Sequence, residues 1–174
     1  LGGARIKDRA HLVAVPAVLL SCLLAIGAFI EVASGSVISV PLYTWLTSGT
    51  LDVHIGIYID RLTAVMLLLV TIVSSLVHIY TIGYMHGEPG YARFFSYIAL
   101  FTFSMLMLVL ADNLLQLFVF WEAVGLCSYL LIGHWYERAP ACSAATKAFL
   151  VNRVGDFGFM LGLLLVWYSF GSLN

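Results

Sequence analysis

Long apolar segments dominate this chain, and only one of the gaps between them is long. A helix needs about 20 apolar residues to cross the hydrocarbon core of a bilayer. Five segments meet this length, at about 12–30, 62–85, 94–111, 113–133 and 144–170. The sequence therefore predicts an all-α fold, a polytopic transmembrane bundle of about five helices that forms a single membrane domain over residues 1–174.

Charge and cysteine usage exclude several other classes of protein. Charged side chains make up 10% of the 174 residues, whereas soluble domains carry about 25%. The net charge of −1 and the lack of a dense basic cluster give no sign of a nucleic-acid partner. The three cysteines, Cys22, Cys127 and Cys142, stand apart from one another without the spacing of a metal site. No metal site is predicted.

The one long gap, 32–61, is predicted to be an outer loop that contains a short β-hairpin. Residues 51–60 alternate between apolar and mostly polar side chains, which is the period of a strand. Residues 37–45 are rich in β-forming residues, and Thr47-Ser48-Gly49 is suited to the turn between the two strands. Because an isolated hairpin is marginally stable, we expect it to pack on the helix ends or on a neighbouring subunit.

Positive charges predict how the chain is oriented in the membrane. With five helices, three segments face one side, and they contain Arg5, Lys7, Arg9, Arg93 and Arg138. The other side offers only Arg61 against four acidic residues. Loops rich in Lys and Arg face the cytoplasm or the matrix, so the N-terminus is expected there. The ends, Leu1 and Asn174, are expected to be cuts in a longer protein.

A single carboxylate stands in the fourth apolar segment. Glu122 lies nine residues after Asn113, which places it near the middle of the membrane. An acidic side chain at that depth costs about 2.5–3.5 kcal/mol on insertion scales. Gly125, Tyr129 and Gly133 share its helix face and suit close helix packing or a wet crevice. A titrating group on an ion path is favoured over a protonated glutamate that only hydrogen-bonds another helix.

The fifth segment carries a second carboxylate near mid-membrane, together with an arginine. Arg153 precedes Asp156 by three residues and can pair with it along the helix. The pair either tunes a proton site or only holds helices together. Glu122, Asp156 and Arg153 are therefore the predicted site of proton translocation.

Other polar residues of these segments have plainer interpretations. Lys147 falls on the opposite helix face from Asp156, near the cytoplasmic end, and is expected to reach the membrane interface. His78 fits either a proton relay or a hydrogen-bonded packing role. The pattern Gly155-x-x-Gly158-x-x-x-Gly162 lies in a predicted membrane helix, so it indicates helix packing and not a nucleotide loop.

Four stretches carry a resemblance to a known family. They read GIYIDRLTAVM at 56–66, FWEAVGLCSYLLIG at 120–133, TKAF at 146–149 and NRVGD at 152–156. The chain resembles the chain 5 antiporter-like, proton-pumping membrane subunit of NADH:quinone oxidoreductase, respiratory complex I, as a fragment of its N-terminal half. The likeness covers nearly the whole chain.

The resemblance implies a function and a set of partners. Glu122 would be the essential membrane glutamate of a proton channel and Asp156 an acidic partner near it. The lysine that the family places on a later, interrupted helix is absent here, and Lys147 is not that lysine. No cofactor is expected in this chain; NADH, FMN, iron–sulfur clusters and quinone would belong to partner subunits, and redox chemistry with them. The expected partners are other membrane subunits of complex I, including neighbouring antiporter-like subunits, and the lipid bilayer, with no nucleic acid.

Two further function classes stay open at this point. One is the large subunit of a multisubunit Na+/H+ antiporter, which shares this helix pattern and a buried glutamate. The other is a purely structural membrane piece that contacts partners through its outer hairpin. The bacterial plasma membrane is the favoured location, with the mitochondrial inner membrane as the alternative.

Overall fold

The computed structural model describes residues 9–48 and 51–173. Within these residues, five helices and two strands follow in the order α1 (His11–Ala33), β1 (Ile38–Ser48), β2 (Leu51–Ile59), α2 (Arg61–Tyr84), α3 (Tyr91–Val109), α4 (Leu114–Ile132) and α5 (Ala139–Phe170). All five helices are long and apolar enough to cross a membrane. The predicted five-helix membrane bundle with a β-hairpin is thus confirmed.

Side-chain caps fix where two of the helices begin. Asp60 accepts a hydrogen bond from the backbone N–H of Thr63 at 2.8 Å, at the start of α2. That bond holds the pKa of Asp60 below its usual range. Asn113 accepts one from the N–H of Gln116 at 2.8 Å, at the start of α4. Each cap satisfies a backbone donor that has no partner inside its helix.

Helix α5 begins at Ala139, five residues before the predicted start at 144. Pro140 occupies its first turn. A proline is tolerated there because its missing N–H would have no partner within the helix. It starts the helix instead of preceding it.

The bundle has two distinct ends. At one, called here the hairpin end, the strands β1 and β2 meet the short turn between α3 and α4. At the other, called the arginine end, Arg93 of α3 donates to the backbone oxygen of His134 at 3.2 Å. The Tyr91 hydroxyl and His11 Nδ1 lie 3.0 Å apart at the same end and join α3 to the start of α1.

The hairpin is antiparallel, and its register runs from Ile38 opposite Ile59 to Ser48 opposite Leu51. The register shifts twice within β1, between Pro41 and Tyr43 and again between Thr44 and Leu46. The predicted turn was partly wrong, because Thr47 and Ser48 belong to β1. Gly49 lies outside the described residues.

Backbone and side-chain hydrogen bonds hold the hairpin on the helix ends. The Gln116 side chain pairs with both backbone groups of Gly56, each at 3.0 Å. The Tyr58 N–H donates to the oxygen of Leu110 at 3.0 Å, and Asn113 Nδ2 donates to the oxygen of His54 at 2.7 Å. The hairpin therefore packs on the α3–α4 turn, one of the two surfaces that the sequence allowed for it.

Candidate functional site

Helices α4 and α5 pack against each other as antiparallel neighbours along a seam of small residues. A Cβ placed on Gly125 would lie 3.6 Å from Asn152 Nδ2, and one on Gly133 would lie 3.3 Å from the Cβ of Ala145. The face that Glu122 shares with these glycines is therefore turned towards α5. Close approach at the glycines brings the polar side chains of the two helices within reach of each other.

Glu122 meets an arginine of the neighbouring helix across this seam. It lies one residue from the middle of α4, and its Oε2 contacts Nη1 of Arg153. The Glu122 side chain is 21% exposed and that of Arg153 40%. The guanidinium also lies over the ring of Phe149, with its Cζ 4.7 Å from the ring centroid.

The same arginine faces a second carboxylate. Nη1 of Arg153 is 3.7 Å from Oδ2 of Asp156, whose side chain is 10% exposed. The other oxygen of Asp156 accepts a hydrogen bond from Trp121 Nε1 at 2.9 Å. The three predicted site residues, Glu122, Arg153 and Asp156, therefore lie together in one cluster, called here the proton cluster after the role that the sequence predicts for it.

The charges of the proton cluster do not balance when both of its acids are ionised. A single guanidinium stands between two carboxylates, so one negative charge is in excess when both acids are ionised. An uncompensated charge is unfavourable in a low-dielectric surrounding. When one acid takes up a proton, the cluster becomes neutral.

A recess of about 550 Å³ opens beside the proton cluster. Trp121, Gly125, Asn152 and Asp156 line it, together with Ser128. A water molecule takes up about 30 Å³ in the liquid, so the recess has room for a chain of waters. The small-residue seam thus provides both close helix contact and space for water.

Trp121 is the residue of this site that the sequence analysis missed. It directly precedes Glu122 and reads as an ordinary apolar residue of a membrane helix. Its ring packs edge-on against Phe159 of α5, at 5.9 Å between centroids, while its N–H reaches Asp156. The one available signal was chemical, since an indole N–H in an apolar membrane helix has few partners other than a polar side chain of a neighbouring helix.

Two other polar residues singled out in the sequence lie away from the proton cluster. Lys147 is exposed on α5. His78 is buried in α2, where Nδ1 lies 2.8 Å from the Ser74 backbone oxygen and Ser74 Oγ lies 2.6 Å from Thr102 Oγ1. These contacts place His78 where α2 meets α3, while its buried Nε2 has no hydrogen-bond partner among the described residues. In the described part of the chain no group of three metal-binding side chains occurs.

The glycines Gly155, Gly158 and Gly162 lie along α5. A Cβ added to any of them would meet nothing within 4 Å among the described residues. Val154 and Phe157 beside them are 77% and 61% exposed. Within the described part of the chain, the predicted packing pattern has no partner helix.

Two family models match the chain. Residues 45–95 match "NADH-Ubiquinone oxidoreductase (complex I), chain 5 N-terminus", and residues 111–174 match "NADH:quinone oxidoreductase/Mrp antiporter, TM". The second match contains the whole proton cluster.

Relatives named NADH-quinone oxidoreductase subunit L are similar to most of the chain. The protein from Neisseria meningitidis is 63% identical over 75% of this chain and 19% of its own length. That from Rickettsia typhi is 48% identical over 97% of this chain and 26% of its own length. NADH-ubiquinone oxidoreductase chain 5 of Rhizopus stolonifer is 48% identical over the same shares. The chain thus spans about a fifth to a quarter of the length of these relatives.

Solved structures share the fold. A chain of the membrane-bound sulfane sulfur reductase, an archaeal respiratory membrane complex, superposes with a TM-score of 0.80 at 25% identity, over 92% of this chain and 32% of that one. A chain of the Mrp complex from a Dietzia species gives a TM-score of 0.79 at 25% identity, over 99% of this chain and 18% of that one.

Proposed function

The chain belongs to the family of antiporter-like membrane subunits that NADH:quinone oxidoreductase shares with Mrp antiporters, and we propose that it is part of a proton-translocating membrane arm. The observation that carries the proposal is the proton cluster, in which one guanidinium serves two carboxylates at mid-helix depth. Ionisable groups at that depth face a high insertion cost, so they are typically functional. The sequence identity of 63% and 48% with relatives named subunit L favours NADH:quinone oxidoreductase as the parent complex.

Glu122 is the proposed proton carrier of the cluster. While Arg153 stays with Glu122, the glutamate is ionised and Asp156 holds the proton. When the guanidinium turns to Asp156, which is 3.7 Å away, Asp156 releases its proton, and Glu122, which has lost its counter-charge, takes up a proton. Arg153 would thus act as a switch that decides which acid is protonated. Electron transfer elsewhere in the complex would bias the position of this switch.

The test replaces the carboxylate in the full-length subunit within the intact complex. Glu122→Gln keeps the shape and polarity of the side chain but cannot release a proton. We expect NADH to quinone electron transfer to continue while the proton-to-electron ratio, measured in sealed vesicles, falls. Glu31→Gln is the matched control, because Glu31 is an exposed glutamate at the end of α1. Unchanged pumping in Glu122→Gln would remove the basis of the proposal.

We propose that the cofactors and the redox chemistry of the complex belong to other subunits. NADH, FMN, iron–sulfur clusters and quinone belong to partner subunits, so redox chemistry takes place there. Other membrane subunits, including neighbouring antiporter-like subunits, are the proposed partners. The arginine end faces the cytoplasm of a bacterial plasma membrane, or the matrix of a mitochondrion. The chain itself is one membrane domain from the N-terminal half of the subunit.

A second candidate is the large subunit of a Na+/H+ antiporter. The likeness to the Mrp complex in fold favours it, and the proton cluster suits proton exchange against a cation equally well. Mass spectrometry of the complex purified through this subunit separates the two. Flavin and iron–sulfur subunits indicate the oxidoreductase, whereas small hydrophobic subunits without redox centres indicate the antiporter.

A further inference from the structure

His134 is a buried histidine whose ring nitrogens have no hydrogen-bond partner among the described residues. It follows α4 at the arginine end, and only 2% of the residue is exposed. Its Nδ1 and Nε2 lack a partner there, and so does the buried Nε1 of the adjacent Trp135. A buried polar group without a hydrogen-bond partner destabilises the folded state. Three such atoms side by side therefore point to bound water.

Space for this water lies in two recesses that His134 lines. One recess of about 290 Å³ is lined by Arg93, His134 and Trp135 among others. A second recess of about 200 Å³ is lined by Arg93, His134 and Tyr129 among others. At about 30 Å³ per water in the liquid, each holds several molecules. His134 is common to both recesses.

The surroundings of His134 keep its ring neutral at neutral pH. Burial lowers the pKa of His134 below its ordinary value of 6.5, Arg93 lowers it further, and Glu88 opposes both effects. The neutral ring carries a proton on one nitrogen and a lone pair on the other. Around both recesses the charged groups are balanced, and the titratable and charged side chains are Glu88, Arg93, Tyr97, Tyr129, Tyr136, Glu137, Arg138 and Cys142.

The second recess lies on the seam that leads to the proton cluster. Gly133 and Ala145, which meet across that seam, both line it. Further along, Tyr129 packs against Phe149 at 5.3 Å between ring centroids, and the Arg153 guanidinium covers the same Phe149 ring. Twelve residues separate His134 from Glu122, about 18 Å along a helix.

We propose that His134 and the water around it form the proton-uptake site at the arginine end, from which protons reach the proton cluster along the α4–α5 seam. The inference rests on the proposed function and names the residue that supplies its protons. The ring accepts a proton at one nitrogen from water in the first recess. It releases the proton of its other nitrogen to water in the second, and exchange of the tautomer restores the starting state.

The functional test uses the full-length subunit in the intact complex. His134→Phe keeps an apolar ring among the surrounding aromatic side chains but cannot carry a proton. We expect proton uptake to slow about 100-fold, the lower end of the contribution of a positioned proton-transfer group. The proton-to-electron ratio then falls, and it falls further as pH rises and free protons become scarcer. His86→Phe, at an exposed histidine of the same end, is expected to behave as the unaltered protein.

A second measurement tests for water directly. In a cysteine-free background, His134→Cys is expected to react with a membrane-impermeant, hydrophilic thiol reagent added from the arginine end. Phe103→Cys is the control, because Phe103 is 54% exposed on the surface of α3 and would face lipid, where such a reagent is excluded. A dry site would leave both cysteines unlabelled.

The outcomes distinguish this inference from the proposed function. If Glu122→Gln loses pumping while His134→Phe pumps with an unaltered pH profile, only the uptake site is wrong. If Glu122→Gln pumps normally, the proposed function fails with it. Should His134→Phe prevent assembly, the labelling of His134→Cys decides, and absence of reaction overturns the inference.

Discussion

At the scale of single residues, the hydrogen bond between Trp121 and Asp156 sets the geometry of the proton cluster. The indole N–H holds Oδ1 of Asp156 at 2.9 Å, which leaves Oδ2 facing Arg153. The carboxylate therefore cannot rotate freely towards the guanidinium. Trp121 thus positions Asp156, although the indole itself cannot exchange a proton.

Replacement of this indole tests the positioning role. Trp121→Phe retains an aromatic ring but removes the N–H, so a buried oxygen of Asp156 loses its donor. Loss of one such partner costs about 1–3 kcal/mol. We expect a lower thermal midpoint of the assembled subunit and a reduced proton-to-electron ratio.

A second tryptophan, further along α5, provides the control for this prediction. Trp167→Phe alters a residue of α5 that is 36% exposed, and we expect both quantities to stay at their original values. If Trp121→Phe matched Trp167→Phe in the two measurements, the hydrogen bond would have no role in positioning Asp156.

At the scale of elements, the hairpin depends on a close approach at Gly56. A Cβ at this position would overlap the carboxylate of Asp112. The absence of a side chain lets the strand lie against the α3–α4 turn, where Gln116, 0% exposed, pairs with the Gly56 backbone. His54 Nε2 also lies 2.9 Å from Asp112 Oδ2, which links the same strand to the same turn.

One added methyl group should release the hairpin from the helices. Gly56→Ala forces Asp112 or the strand to move, and overpacking of this kind typically costs about 1–3 kcal/mol. We expect faster cleavage of residues 38–59 by a protease added from the hairpin side. Gly27→Ala is the control, since a Cβ there meets nothing within 4 Å among the described residues. Equal cleavage rates in the two variants would contradict the docking role.

The elements differ in how far the sequence predicts them. The five helices follow from the length of the apolar segments, because the bilayer alone sets that length. The start of α5 was misplaced, since proline breaks a helix interior but is favoured in a first turn. The second strand was predicted from its alternation and the first from its β-forming residues, whereas the predicted turn was partly wrong because β1 extends through Thr47 and Ser48.

The three predicted site residues lie together, but the sequence could not show that Arg153 contacts both carboxylates. Arg153 was assigned to Asp156 from a three-residue spacing along one helix. The structure adds the contact with Glu122, which depends on the register between α4 and α5. Local spacing carries no information about that register, and the same reason hid the bond from Trp121 to Asp156.

At the scale of the whole molecule, α5 is covered on one side only. Its seam with α4 holds the proton cluster, whereas a Cβ on Gly155, Gly158 or Gly162 would meet nothing within 4 Å among the described residues. In lipid, small residues at such spacing let a second helix approach closely. Helix α5 therefore carries residues of the proton cluster and, beside them, a surface on which a further helix could pack.

A bulky side chain on that surface should hinder assembly without harming the bundle. A Cβ on Gly158 meets nothing within 4 Å among the described residues, and leucine is a better helix former than glycine, so Gly158→Leu should not destabilise α5 itself. We expect normal membrane insertion of the subunit but less of it in the complex on native gels. Gly27→Leu, on α1, should assemble as the unaltered protein does. Normal assembly of Gly158→Leu would show that this face needs no close helix neighbour.

The hairpin also constrains the timing of biosynthesis. Gly56 and Gln116, which are joined by two hydrogen bonds, are 60 residues apart in the chain. At about 5–20 residues per second, the ribosome needs about 3–12 s to supply the second partner. During that interval the newly made strands lack their docking surface, and their edges can pair with other chains. The two irregularities in β1 interrupt the regular ladder, and they make a nascent hairpin a poor template for aggregation while it waits.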